Sequence, residues 1–161
     1  MVNTIKNNKL DRYFNIAKVL LTISPFVGIA YIMMSASKAG GDIALALSQN
    51  PDLTVLFLVC MINPFIAYLL IFMHRKLNEG DPSYAVVNLV LLVVAEVLLQ
   101  NLIYVLLLGF ILFKTLRTYN LSIKESFADK HGIHLLSTIS GSLVVIVLTG
   151  ICLFAQIRIG L

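Results

Sequence analysis

The chain has 161 residues, 59% of them hydrophobic and only 12% charged, with a mean hydropathy of +0.94 and a formal net charge of +4. Soluble domains carry roughly a quarter of their residues as charges, so these values exclude an aqueous domain of any size, and the longest polar segments are too short to bury a core of their own. The basic excess lies beside apolar ends, where it meets anionic lipid and sets topology, and no aromatic-basic surface suggests nucleic acid as a partner.

A run of about 20 uncharged residues spans hydrocarbon as a helix, because no water is present there to satisfy an exposed backbone. Residues 19–37, between Lys18 and Lys38, form the first such run. Together with Lys6, Lys9 and Arg12 and the small residues Ser35, Ala36 and Ser37, it has the outline of a signal peptide. The long polar arm and the span-length run predict instead a retained first helix, about 16–37. Residues 53–73, between Asp52 and His74, predict a second span, about 53–74.

These two spans echo each other as Ile23-Ser24-Pro25-Phe26-Val27 and Ile62-Asn63-Pro64-Phe65-Ile66. Proline removes a donor and frees a carbonyl one turn back. Pro25 and Pro64 therefore predict kinks, with Ser24 and Asn63 placed to satisfy the freed carbonyls or to bind a ligand. Paired interruptions of this kind build midplane sites in small transporters; simple kinks are the plainer reading.

Residues 82–113 carry a single acidic or basic side chain, Glu96. Leu, Val, Ala, Glu and Gln continue a helix and no Pro or Gly lies near Glu96 to turn it, which predicts one helix, about 83–115. At about 45 to 48 Å it would tilt or project from the hydrocarbon. On such a helix Glu96, Gln100 and Tyr104 recur every four residues, with Asn88 to the other side of Glu96, as a polar surface that cannot face lipid cheaply. A carboxyl group at midplane is a candidate for ion or proton coupling or for ligand binding; the alternative is interhelical hydrogen-bonding glue.

Lys and Arg favour the cytoplasmic side of short loops. With four simple spans and the N-terminus inside, the inner side holds Lys6, Lys9, Arg12, Lys18, Arg75, Lys76 and Arg158, and the outer side holds Lys38, Lys114, Arg117, Lys124 and Lys130. If residues 82–113 instead entered and returned on one face, only Lys38 and Arg158 would remain outside. That bias suits the rule better, but the missing turn chemistry favours the single helix.

Ser122-Ile123-Lys124-Glu125 has capping-box spacing and Gly132 is placed as a stop, so a short interfacial helix is expected at about 123–131, with Ile123 and Phe127 on one face. His131 and His134 with Asp129 are too few for a metal site. The fourth span, about 135–158, aligns Ser137, Thr138, Gly141, Thr149, Cys152 and Gln156 within roughly 120°, a small-residue face suited to helix packing. Cys60 and Cys152 lack CxxC spacing and act as small hydrophobes.

The fold expected is all-α: one polytopic domain over residues 1–161, a four-helix transmembrane bundle with a short interfacial helix between the third and fourth spans. Asp42, Asp52, Glu79, Asp81, Glu125 and Asp129 are scattered over loops, so no catalytic constellation forms and neither an enzyme nor a cofactor is expected. The function expected is that of an accessory or immunity-type protein of the cytoplasmic membrane. It would act through helix contacts with a membrane partner, a second copy or a toxin, in contact with membrane lipid. The alternative is a small ion-coupled or solute transporter using Glu96 and the Pro25 and Pro64 kinks.

Overall fold

The computed structural model describes residues 8–38, 40–129 and 133–159. They are all-helical: α1 (Asn8–Lys38), α2 (Ile43–Gln49), α3 (Pro51–Asn78), α4 (Pro82–Leu98), α5 (Leu102–Tyr119), α6 (Ile123–Asp129) and α7 (Ile133–Ile159). Four of them, α1, α3, α5 and α7, are long and apolar enough to cross a membrane, and the all-α membrane class expected from composition holds.

The long helices α1 and α3 run antiparallel. Along them Asp11 meets His74, Ser24 meets Asn63, and Gly28 meets Cys60. A Cβ at Gly28 would stand 2.7 Å from Cys60 Sγ, so the missing side chain is what lets the helices touch. Both helices continue through their internal prolines, Pro25 and Pro64. The next turn is legible residue by residue. Gly80 takes φ +87, its N–H donates to Leu77 O at 3.2 Å, and Asp81 N–H donates to Lys76 O at 2.9 Å. Asp81 then caps α4 by accepting Tyr84 N–H at 3.1 Å, with Pro82 in the first turn.

The single helix expected at 83–115 is two helices. Between α4 and α5 the chain turns at Leu99, Gln100 and Asn101 by the same closing pair: Gln100 N–H donates to Val97 O and Asn101 N–H to Glu96 O, each at 3.0 Å. Gln100 occupies the left-handed position at φ +56, where glycine is the usual residue. A non-glycine residue there costs roughly 1–2 kcal/mol, a penalty outweighed by the packing of α5 back along α1. Tyr13 meets Phe110 edge-on at 5.1 Å, and Tyr104 Oη donates to Leu20 O at 3.4 Å. As α1 advances from residue 13 to 20, α5 therefore retreats from 110 to 104. The α4–α5 pair is a helical hairpin that returns to the Asp11 end of the bundle.

After the hairpin, Ser122 and Glu125 form the expected capping box: Glu125 N–H donates to Ser122 Oγ at 3.2 Å and Ser122 N–H to Glu125 Oε2 at 2.9 Å. The helix they start, α6, buries Ser126 and leaves Ile123 exposed. Lys130, His131 and Gly132, expected to end it, lie outside the described residues, as does the side chain of His134. Running antiparallel to α3, α7 presses Gly141 against the Leu69 side chain. One further helix was not expected: α2 lies in the 38–52 loop, capped by Asp42, which accepts Ala44 N–H at 2.9 Å.

Lengths then determine shape. At about 1.5 Å per residue, α1 and α3 reach about 46 and 42 Å, but α4 and α5 only about 25 and 27 Å. The hairpin stops part-way along the bundle. Beyond its tip, towards Lys38 and Asp52, it leaves space between α1, α3 and α7.

A candidate binding cavity at the tip of the α4–α5 hairpin

That space is an open-sided cavity of about 620 Å³, with Val27, Tyr31 and Ile103 exposed at its rim. Its floor is the turn Leu99, Gln100 and Asn101 with Tyr104, its walls include Ser24 and Tyr31 from α1 and Cys60 and Asn63 from α3, and Gln156 and Asp52 complete its lining. The level is fixed by the two proline segments. Ser24 and Asn63, each preceding a proline, lie face to face, and Asn63 Nδ2 donates to Ser24 Oγ at 2.6 Å. Cys60 lines the cavity beside them. Asn63 is 1% exposed, and its Oδ1 has no hydrogen-bond partner.

Glu96 lies directly beneath the floor. It is fully buried, its carboxyl lies beside the Asn101 side chain without a hydrogen bond of good geometry, and its backbone carbonyl is the acceptor that closes the turn. Gln156 Oε1 and Thr149 Oγ1 are also buried without partners. Such groups are few in folded proteins. Here Glu96, Asn63 and Gln156 gather around one turn.

The structure brings together Ser24, Asn63, Gln100, Tyr104 and Gln156, with Glu96 behind them, but not on the continuous helix face expected. The break at residues 99–101 puts Glu96 and Tyr104 on different helices. Asn88 belongs elsewhere. Its Nδ2 donates to Tyr84 O at 2.8 Å and Thr138 O at 3.1 Å, and its Oδ1 accepts from Ser142 Oγ at 2.6 Å, pinning α4 to α7. On α7 the expected small-residue face buries Thr138, Thr149 and Cys152 and half-buries Gly141 and Gln156, but Ser137 is exposed and Ser142 takes its place.

Asn101 and Asp52 were missed as lining residues. Two adjacent amides, Gln100-Asn101, inside an apolar run were the available signal for the turn. Also missed was a polar bridge at the other end. His74 Nε2 pairs with Asp11 Oδ1 at 2.7 Å and Nδ1 lies 3.2 Å from Lys18 Nζ, while the ring stacks on Phe14 at 5.2 Å. Compared with known proteins, the chain matches no family model, no curated protein and no solved structure.

Proposed function

We propose that the protein is a small solute carrier of the cell membrane, which admits a polar solute or ion into the cavity at the hairpin tip. One observation carries this reading: a cavity between spanning helices whose floor is a left-handed turn and around which Glu96, Asn63 and Gln156 hold buried, unpartnered oxygens. Irregular backbone at membrane depth is tolerated where it is buried in protein or lines a water-filled cavity. Buried ionisable groups in spans mark substrate and ion paths by default. Strained backbone gathers at ligand sites. The reading by helix contacts with a partner has less support, because the small face of α7 on which it would rest is packed inside the chain's own bundle, with Gly141 against Leu69.

The charge pattern supports an orientation. Among the described residues Lys9, Arg12, Lys18, Arg75, Lys76, Lys114, Arg117 and Lys124 belong to the Asp11 end, and Lys38 and Arg158 to the other. Positive residues favour the cytoplasm, so the Asp11 end is cytoplasmic and the cavity faces outward.

Cys60 tests both points. In a Cys152→Ser background, an uncharged, membrane-impermeant maleimide added outside intact cells should modify Cys60. A thiol that stays unmodified from outside, or reacts only after permeabilisation, refutes the outward-open cavity.

A further inference from the structure

We infer that the ligand of this cavity is an organic monocation with an apolar body; the inference rests on the carrier reading above. The ionisable side chains at the cavity, apart from tyrosine and cysteine, are both acidic: Asp52 in the lining and Glu96 beneath the floor. Among the described residues no Lys, Arg or His lines it. Lys38 and Arg158 sit at the ends of α1 and α7, and the Arg158 guanidinium lies over the Phe154 ring at 5.9 Å.

The buried, unpartnered atoms in the lining are acceptors, Asn63 Oδ1 and Gln156 Oε1, whereas one N–H of Asn63 Nδ2 is committed to Ser24. An anion entering here finds no positive side chain among the described lining residues. A cation meets those acceptors and the carboxyl group of Asp52 in the lining.

The rest of the wall decides between an inorganic and an organic ion. A hard metal cation needs about six converging oxygens, whereas this cavity is walled largely by aliphatic side chains such as Leu20, Val27 and Val59. Among the described residues no three of His, Cys, Asp and Glu are grouped to hold a metal ion. Aliphatic walls with two tyrosine rings, Tyr31 and Tyr104, suit a cation carried on an apolar frame, because aromatic faces attract alkylammonium groups.

Cys60 gives a readout that separates this inference from the reading beneath it. In the Cys152→Ser protein in lipid nanodiscs, modification rates are measured for a trimethylammonium methanethiosulfonate and for its sulfonate counterpart, each divided by its rate with a small free thiol. The cation should be favoured by about tenfold, the scale of one charge interaction at a half-buried site. Asp52→Asn and Glu96→Gln should each reduce that preference. Tetraphenylphosphonium should protect Cys60, and tetraphenylborate, its counterpart of the same shape and opposite charge, should not.

If neither reagent reacts, the cavity reading itself fails. If both react with the free-thiol ratio, or if tetraphenylborate protects equally well, the cavity stands and the cationic ligand is refuted. Failure of tetraphenylphosphonium to protect refutes the apolar frame. Asp52→Asn lies at an exposed position in the first turn of α3, so it serves as the second test of charge should Glu96→Gln fold poorly.

Discussion

The two ends of the bundle are built on opposite rules. Towards Asp11, the hairpin fills the space among α1, α3 and α7. Phe14, Leu70, Met73, Leu89 and Ile111 are fully buried there, and the polar groups are matched: Asn88 bonds Tyr84, Thr138 and Ser142, Thr115 Oγ1 donates to Ile111 O at 2.8 Å, and His74 pairs with Asp11. Towards Asp52, α1, α3 and α7 continue, with α2 packed on α1 and α3. Ile32, Ala36, Ala46 and Leu53 are still buried there, but a cavity opens at the hairpin tip, and Asn63, Glu96 and Gln156 keep unpartnered oxygens beside it. One property of the chain, a hairpin shorter than its neighbours, separates a closely packed half from a half that holds a cavity.

Substitution in the packed half should have the largest effect. Gly141→Leu drives a side chain into Leu69, and overpacking of this kind costs about 1–3 kcal/mol. Denaturation in mixed micelles should show that loss. Val27→Phe, the same kind of enlargement in the cavity wall where Val27 is 63% exposed, should leave stability nearly unchanged while slowing modification of Cys60. Equal destabilisation by the two changes would erase the distinction between the halves.

Glu96 sits on the boundary between them, and its stability effect should have the opposite sign. With no well-formed hydrogen bond to either oxygen, Glu96→Leu removes a poorly satisfied buried polar group and should stabilise the protein by about 1–3 kcal/mol while reducing the cation preference at Cys60. Glu96→Gln should fold normally and show the same reduction. A destabilised Glu96→Leu would mean that the carboxyl is structural glue after all.

Two turns explain how much was legible. The turn after α3 is spelled Gly80-Asp81-Pro82, in which each residue has the conformation or missing donor its position requires. The turn after α4 has the same hydrogen-bond pattern but is spelled Leu99-Gln100-Asn101, residues that a local reading continues as helix. What decides it is distant: the fit of Phe110 to Tyr13 and of Tyr104 to Leu20 along α1. The first, second and fourth spans and the capping box at Ser122 follow local patterns and were readable, whereas Ser24 and Asn63, expected to satisfy freed carbonyls or a ligand, bond each other instead. The hairpin, and with it the cavity, depends on contacts between residues some 80 or more apart in the chain. The adjacent amides Gln100-Asn101 and the Lys and Arg distribution, whose asymmetry the re-entrant alternative improved, carried the traces of it.

A smaller stabilising effect is expected at the cavity floor. If Gln100 is strained to close the turn, Gln100→Gly should stabilise the protein by about 1 kcal/mol, since glycine takes the left-handed conformation freely. Thermal denaturation should register a modest rise. A fall would show that the Gln100 side chain stabilises the floor by more than its backbone strain costs.

The smallest effect belongs to the turn at the packed end. Glu79 accepts from Lys76 Nζ at 2.7 Å and Arg75 Nε at 2.8 Å, and these two cations hold its carboxyl below its ordinary value of 4.5. A depressed folded-state value means the ionised form is favoured by folding. Its contribution is therefore complete above the ordinary value and is lost as pH falls through the lower, folded one. All three side chains are substantially exposed, so water and salt screen the pair and the contribution is slight. Wild type and Glu79→Gln should differ slightly in melting temperature at neutral pH, less in high salt, and should converge as the solution is acidified well below pH 4.5. A difference that grows on acidification would reverse the sign and assign the stabilisation to a protonated Glu79. Constancy across the range would show that the two ion pairs contribute nothing and that Gly80 and the Asp81 cap hold the turn by themselves.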